Sequence, residues 1–215
     1  GALDADEAWN CEARRYYFNI VGKYGLPVSN LLKKASALEI KTICPLHGPV
    51  LTDTINEVLK LYTIWSSYEA EDDGVFIAYA SMHGNTKKAA EIFKKTLEEK
   101  SNKKVAIADL SRSDMAECVE DAFRYDRMVL AAASYDAGVF PIMQDFLHHL
   151  QAKAYQNRTV GLIENGSWAP TAAKTMRNIL DTMKNITVVE PVVTIKSVLK
   201  KTDIPALDQL ADAIK

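Results

Sequence analysis

A continuous apolar run, Val75-Phe76-Ile77-Ala78-Tyr79-Ala80, leads directly into Ser81-Met82-His83-Gly84-Asn85-Thr86. An apolar run without alternation is what a strand needs when both of its faces are covered. The residues that follow are mostly small or hydroxyl-bearing, and a helical pattern starts at about Thr86. The segment therefore predicts a buried strand, a tight loop and a helix. Such a loop can wrap a terminal phosphate, because backbone N–H groups, small hydroxyls and the positive end of a helix dipole converge on one point.

The same alternation continues to the C-terminus. Thr86 to Lys100 places Ala89, Ala90, Ile92, Phe93 and Leu97 at helical spacing, with lysines and glutamates on the other face. Val105–Ala108 predicts a second strand, and Asp114 to Phe123 a second helix with Ser113 as its N-cap. Met128–Ala132 is a third strand, followed by a helix from Pro141 to Ala154. Thr159–Ile163 is a fourth, followed by a helix over Thr171 to Met183. Thr187–Ile195 supplies a fifth strand, bent or interrupted at Pro191, and Ile204–Ile214 the last helix. Repeated strand–helix units imply right-handed crossovers and a parallel sheet with helices on both faces. The fold class is α/β: a flavodoxin-like doubly wound sheet of five parallel strands, order 2-1-3-4-5. Its ligand crevice is expected where strands 1 and 3 diverge.

Unusual residues stand where that crevice should be. After strand 1 comes the loop Ser81, Met82, His83, Gly84, Asn85 and Thr86; after strand 3 come Ala133, Ser134, Tyr135, Asp136 and Gly138. After strand 4 come Asn165, Gly166, Ser167 and Trp168, preceded by Glu164. The first loop resembles the phosphate signature of flavodoxins, whose hydroxyl residues, Gly and final Thr surround the phosphate of FMN. The resemblance implies FMN as cofactor, with Tyr135 and Trp168 beside its flat ring and backbone N–H groups of the Gly-containing loops at its polar edge. His83 stands where these families often carry Thr or Tyr; it either hydrogen-bonds the phosphate or ribityl chain or faces solvent. Ala131-Ala132-Ala133 replaces a more polar or Pro-containing run, and Asp136 replaces a common Asn. Carboxylates from Asp136 or Glu164 near a flavin would disfavour an anionic hydroquinone and lower the potential.

The first 67 residues form a separate compositional unit. Ala5 to Val21, Val28 to Leu38 and Asp53 to Ser66 predict helices, and Ile40–Cys44 a short strand before Pro45-Leu46-His47-Gly48-Pro49. A single strand would leave both edges unpaired, so the unit reads as the tail of a larger sheet-containing domain. The acidic stretch 68–74 reads as linker or exposed turn, and 75–215 as the FMN-binding domain. Glu12-Ala13-Arg14-Arg15-Tyr16-Tyr17, Ile43 to Pro49, Ile64-Trp65, Ile77 to Thr86 and Phe140 to Leu150 together resemble flavodiiron proteins, also called A-type flavoproteins. That family joins a metallo-β-lactamase-like diiron domain to a flavodoxin-like domain and reduces O₂ or NO. The resemblance implies that residues 1–67 end the diiron domain and that His47 matches its last iron-ligating histidine. It also implies a diiron centre only in a full-length parent, head-to-tail homodimers, and a reduced donor such as rubredoxin or a flavin- or NADH-linked reductase. His47 has no ligand-like neighbours in sequence, so metal binding is not expected of this chain alone.

Composition narrows the alternatives. The 215 residues carry a net charge of -2 with no long basic run, so nucleic acid is not an expected partner. No apolar stretch reaches the roughly 20 residues that span a bilayer, no secretory signal is visible, and a cytoplasmic location is expected. Gly1 in place of Met suits a processed or engineered piece of something longer. Cys11, Cys44 and Cys118 are an odd count without a C-x-x-C pair, so buried or half-buried free thiols are expected. His148 and His149 lie within an amphipathic helix, one expected beneath the sheet and the other in solvent. Three functions compete: the electron-transfer domain of a flavodiiron O₂ or NO reductase, a flavodoxin-like NAD(P)H:quinone reductase, and an interaction module without flavin.

Overall fold

The computed structural model describes residues 7–215; Ala5 and Asp6, where the first helix is expected to start, lie outside them. The central strand β1 (Asp72–Ala80) is buried at every position from Val75 onward. It pairs in parallel with β2 (Lys104–Asp109) on one side and β3 (Tyr125–Tyr135) on the other. Strand β5 (Arg158–Asn165) follows β3, also in parallel. The expected fifth strand is present in two pieces, β6 (Ile186–Val188) and β7 (Val193–Ile195), split around Pro191 and both parallel to β5. Proline has no N–H to give a ladder. With those pieces counted as one strand, the order is the expected 2-1-3-4-5. Beyond that expectation lies β4 (Gly138–Val139), an antiparallel hairpin on the end of β3, turned through Asp136 and Ala137 at φ 45° and 57°.

Alternate side chains of β1 go to opposite layers. Phe76, Ala78 and Ala80 pack with Met128, Leu130 and Leu162 beneath α5 (Met115–Arg124), α6 (Pro141–Ala152) and α7 (Ala172–Leu180). Val75, Ile77 and Tyr79 pack with Val129 and Ile163 beneath α4 (Asn85–Lys100) and α8 (Ile204–Ile214). Helix α8 sits so close to the sheet that a Cβ on Gly161 would meet Leu210 at 3.1 Å and Ile214 at 3.2 Å. Helix α5 is capped by Asp114, not Ser113: its carboxylate accepts the N–H of Ala116 at 2.7 Å and of Glu117 at 3.3 Å. A carboxylate one residue nearer the helix does what the serine was expected to do.

The N-terminal unit consists of α1 (Glu7–Tyr16), a π-helical turn (Tyr17–Val21), a 3₁₀ turn, α2 (Gly25–Ala35) and α3 (Ile55–Ser66). The strand expected over Ile40–Cys44 is reduced to a single bridge between Ile43 and Leu51. This unit shares the core of the sheet domain, since Tyr17, Phe18 and Trp65 are buried in the same cluster as Phe76, Phe123 and Leu150. Phe18 stacks on Phe123 at 4.0 Å between centroids. Each such buried aromatic contributes about 2–3 kcal/mol.

The stretch read as a linker is pinned in place. Asp72, Asp73 and Gly74 already belong to β1. Arg14 holds the Glu71 carboxylate with two bonds of 2.8 Å, and Trp65 Nε1 donates to it at 2.9 Å. Burial opposes the Glu71 charge, but the Arg14 bonds outweigh it and hold the carboxyl below its ordinary range. Arg158, itself buried, donates to the carbonyls of Tyr68 and Glu69 and to those of Phe123 and Tyr125.

Glu120 is the under-compensated member of this junction. Its residue is 3% exposed, its bond from Arg14 is a long 3.5 Å, and the Cys11 thiol donates to it at 2.9 Å. Burial pushes its carboxyl up from 4.5 to about 7. A carboxyl whose folded value is raised binds more protons folded than unfolded, so its stabilisation is full below 4.5 and is lost as pH rises through about 7. Glu120→Gln is therefore expected to flatten the fall in thermal stability across that window. Parallel pH slopes for the variant and the parent would show that the dependence arises elsewhere.

Candidate functional site

The carboxyl ends of β1, β3, β5 and β7 open onto one cavity of about 410 Å³. Its first wall is the loop after β1. Gly84 stands at φ 86°, where an L side chain is strained, and donates its N–H to Ser81 Oγ at 3.1 Å. Helix α4 starts at Asn85 with no side-chain cap, so the N–H groups of its first turn are left for an outside acceptor. Thr86 is buried beside them at 2% exposure, whereas His83 is exposed at the rim.

The second wall follows β3. Ser134 Oγ accepts the N–H of Thr171 at 2.8 Å and of Ala172 at 3.1 Å, and so caps α7 from another strand. Thr171 returns a bond from its hydroxyl to the Gly138 carbonyl at 2.9 Å, tying the β4 hairpin to the same helix. Tyr135 is 43% exposed and lies edge-on to Phe140 at 6.0 Å.

The third wall follows β5. Asn165 makes two bonds to the backbone of Ser197, Nδ2 to its carbonyl at 2.8 Å and Oδ1 from its N–H at 3.0 Å. Ser167 and Ser197 are joined through their hydroxyls at 2.9 Å. Trp168 is 90% exposed on the cavity edge.

The structure thus brings together Ser81, Met82, His83, Asn85, Thr86, Ala133, Ser134, Tyr135, Asp136, Asn165, Gly166, Ser167 and Trp168 around one space. Gly84 and Gly138 do not border it; they shape the loops that do. The sequence reading missed Ala137, Ala169, Thr171 and Ser197 on its lining. A usable signal existed for Ser197, which lies two residues past the last residue of β7, at the same end of the sheet.

Several expectations are corrected. Glu164 does not face the cavity: its carboxylate accepts Ala173 N–H at 2.9 Å and the Thr194 hydroxyl at 2.9 Å, so it serves α7 and β7. Neither His148 nor His149 packs beneath the sheet; the first is exposed and the second is half-buried, its ring 3.8 Å from the Asp145 carboxylate. A histidine at the amphipathic boundary reaches solvent more cheaply than it buries. Cys118 is buried as expected, but Cys11 and Cys44 are exposed. His47 is exposed with its ring 5.3 Å from that of Tyr16, and among the described residues no three His, Cys, Asp or Glu side chains converge as a metal-binding group. A second cavity, about 730 Å³ and mainly apolar, lies in the N-terminal unit between Trp9, Tyr16, Leu32, Leu59 and Tyr62.

Residues 76–198 match the flavodoxin domain model. The chain belongs to the flavodoxin domain family. It is 23% identical over 202 residues to an uncharacterized protein of Methanocaldococcus jannaschii, covering 92% of this chain and 50% of that one. It is 22% identical over 161 residues to the anaerobic nitric oxide reductase flavorubredoxin of Salmonella paratyphi B, covering 74% of this chain and 33% of that one. Among solved structures, rubredoxin oxygen:oxidoreductase from Desulfovibrio gigas superposes with a TM-score of 0.88 at 19% identity, over 96% of this chain and 52% of that one. The flavodiiron protein of Giardia intestinalis superposes at 0.83 and 17% identity, over 93% and 50%. The flavodoxin domain thus sits in a fold shared with flavodiiron proteins, and the chain spans about a third to a half of the curated relatives it matches. Among the described residues no helix is long and apolar enough to cross a membrane.

Because Ser134 supplies the cap that α7 lacks locally, Ser134→Ala is expected to cost about 1 kcal/mol, the value of a lost N-cap. Urea unfolding followed by far-UV circular dichroism reads this directly; an unchanged midpoint would mean that the two bonds carry no net stability.

Proposed function

We propose that this chain is the FMN-binding electron-transfer part of a flavodiiron-type O₂ or NO reductase. One observation carries the reading: the uncapped N-terminus of α4 opens, through a hydroxyl- and glycine-bearing loop, into a cavity edged by two exposed aromatic side chains. The donor set fits FMN. Ser81, Asn85 and Thr86, on the loop that Gly84 shapes, would hold its phosphate by N–H groups, hydroxyls and the helix dipole. Tyr135 and Trp168 would border the flat ring, and Ala133, Asp136 and the Asn165–Ser167 turn would approach its polar edge. When bound, FMN supplies the ability to accept and pass on electrons singly. The chain's own residues bind, orient and shield; Glu164, turned towards α7, adds no carboxylate to the cavity.

The wider assignment rests on the names and folds of the relatives. A rubredoxin oxygen:oxidoreductase superposes on both the helical unit and the sheet, and a flavorubredoxin described as an anaerobic nitric oxide reductase matches 74% of the chain in sequence. On this reading residues 1–67 are the end of a metallo-β-lactamase-like diiron domain, 68–71 join it to the flavin domain, and that domain starts with β1 at Asp72, three residues before the boundary expected at 75. His47 is an iron ligand only in a full-length parent. The electron donor is a reduced carrier such as rubredoxin or a flavin- or NADH-linked reductase. The protein works in the cytoplasm and forms a homodimer through the helical unit of residues 5–66, whose exposed Ile20, Leu31 and Leu46 favour association.

Titrating the apo-protein with FMN tests the central claim. Thr86→Val is expected to weaken binding by about 1–3 kcal/mol, the cost of leaving a charged acceptor short of a donor. Unchanged affinity would remove Thr86 from the phosphate site, and no binding by the parent would remove the reading. Iron analysis tests the other half. After chelator dialysis the FMN-loaded chain is expected to hold no stoichiometric iron, because a lone imidazole competes poorly with water for Fe²⁺; about two retained irons per chain would overturn that.

A further inference from the structure

Two consecutive buried polar side chains end β5, and both are used on parts of the chain that come later. Glu164 accepts the Ala173 N–H and the Thr194 hydroxyl. Asn165, 7% exposed, reaches past its ladder partner Ile195 to Ser197. Its amide pairs with the Ser197 backbone in both directions: Nδ2 donates to the carbonyl at 2.8 Å, and Oδ1 accepts the N–H at 3.0 Å. Ser197 holds left-handed backbone at φ 64°. L residues rarely adopt that conformation, and it persists where surrounding bonds over-determine it.

The turn that Asn165 opens is held at both ends. At its start, Gly166 donates its N–H to the Ile195 carbonyl at 3.0 Å, and the Ser167 and Ser197 hydroxyls meet at 2.9 Å. Gly166 is also seated against Pro170 and Ser134, since an added Cβ would come within 2.9 Å of Pro170 Cα and 3.1 Å of Ser134 Oγ. At its finish, Ser134 Oγ accepts the N–H groups of Thr171 and Ala172. Between these anchors lie Ser167, Trp168 and Ala169, all on the cavity lining. Their backbone N–H groups find no acceptor among the described residues.

The loop after β1 is built differently. Its side-chain bond is internal, from Gly84 N–H to Ser81 Oγ, and among the described residues no hydrogen bond ties it to the other walls. Rigidity is therefore concentrated at the end of the cavity away from the phosphate loop.

From this pairing we infer that Asn165 is a positioning residue for the ring end of the cofactor. Through Ser197 it fixes the turn, so that the N–H groups of Ser167, Trp168 and Ala169 are already aimed when the polar edge of a flavin ring arrives. The role asks for no contact between the Asn165 side chain and the cofactor, and it recruits the loop after β7, which itself supplies no turn donor. The inference rests on the flavin reading of the cavity. Donors fixed in advance stabilise charge without a cost of reorganisation. Reduction adds negative charge to the ring, so a fixed turn favours the reduced cofactor over the oxidised one.

Titration of the apo-protein with FMN and with riboflavin, which carries the ring without the phosphate, tests this together with the midpoint potential of the FMN-loaded chain. Asn165→Ala is expected to weaken FMN and riboflavin by the same factor, about tenfold. Reduced FMN should lose about tenfold more than oxidised FMN, which lowers the two-electron midpoint by about 30 mV. Thr86→Val, at the phosphate end, should weaken FMN and spare riboflavin, which tells the two ends apart. Ser197→Pro removes the N–H from the other side of the same pair and should reproduce both effects, and it carries the test if Asn165→Ala does not fold. The double variant should lose no more than either single one, because both break one interaction. Unchanged affinity and midpoint in folded Asn165→Ala or Ser197→Pro overturn the proposal. So does a loss confined to FMN, which would place Asn165 at the phosphate, or one confined to thermal stability, which would make the pairing purely structural. A parent that binds neither FMN nor riboflavin refutes the flavin reading itself, a result seen before any variant is made.

Discussion

The burial of β1 on both faces is the constraint from which the rest of the molecule follows. A strand apolar at every position from Val75 to Ala80 has no solvent side, so helices must cover it above and below. Strands that run parallel need long crossovers, and each crossover brings the chain back to the same end of the sheet to begin the next strand. Loops that follow the strands therefore gather at the opposite end, and that is where Thr86, Tyr135, Trp168 and Ser197 meet although 111 positions separate the first from the last. The cavity is a consequence of strand direction before it is a consequence of any side chain.

The amino ends of the same strands carry a different kind of structure. Asp72, Tyr125 and Arg158, the first residues of β1, β3 and β5, lie together there. Arg124 Nε bonds Asp72 at 2.6 Å, and Arg158 gathers carbonyls from the end of α5 and from the segment joining the two units. A buried guanidinium is costly unless its donors are used, and here the five N–H groups are occupied by backbone oxygens. That arrangement fixes how the N-terminal helices meet the sheet, with Phe18 against Phe123 filling the gap.

What was legible in the sequence followed from period and punctuation. The apolar runs gave the strands, and Ile204–Ile214 was read with its observed ends because Pro205 marks the first turn of a clean amphipathic helix. What was hidden depended on partners distant in sequence. The acidic stretch 68–74 reads as a linker or exposed turn because nothing in its own pattern announces Arg14, Trp65 or Arg124 as partners of Glu71 and Asp72. Glu164 looked like a flavin neighbour because its loop is one; only the return of α7 and β7 reveals where its oxygens go. Ser134 was placed at the cavity by its strand end, yet its hydroxyl is spent on the N-terminus of α7, a contact no local pattern encodes. The β4 hairpin escaped because Asp136 and Ala137 hold left-handed backbone that Asn-Gly would have advertised.

The two ends of the sheet are about 30 Å apart along a nine-residue strand, and this separation divides the labour of the fold. Charges that titrate at the junction, Glu120 above all, act on how firmly the helical unit is held, through Cys11 and Arg14. Conversely, the loops at the carboxyl ends carry exposed aromatics, Tyr135 and Trp168, that stability alone would not select, since they bury little. Such features are tolerated because the buried sheet and the junction already hold the molecule together. The carboxyl-end loops are then free to present an open helix N-terminus on one side of the cavity and exposed aromatic side chains on the others.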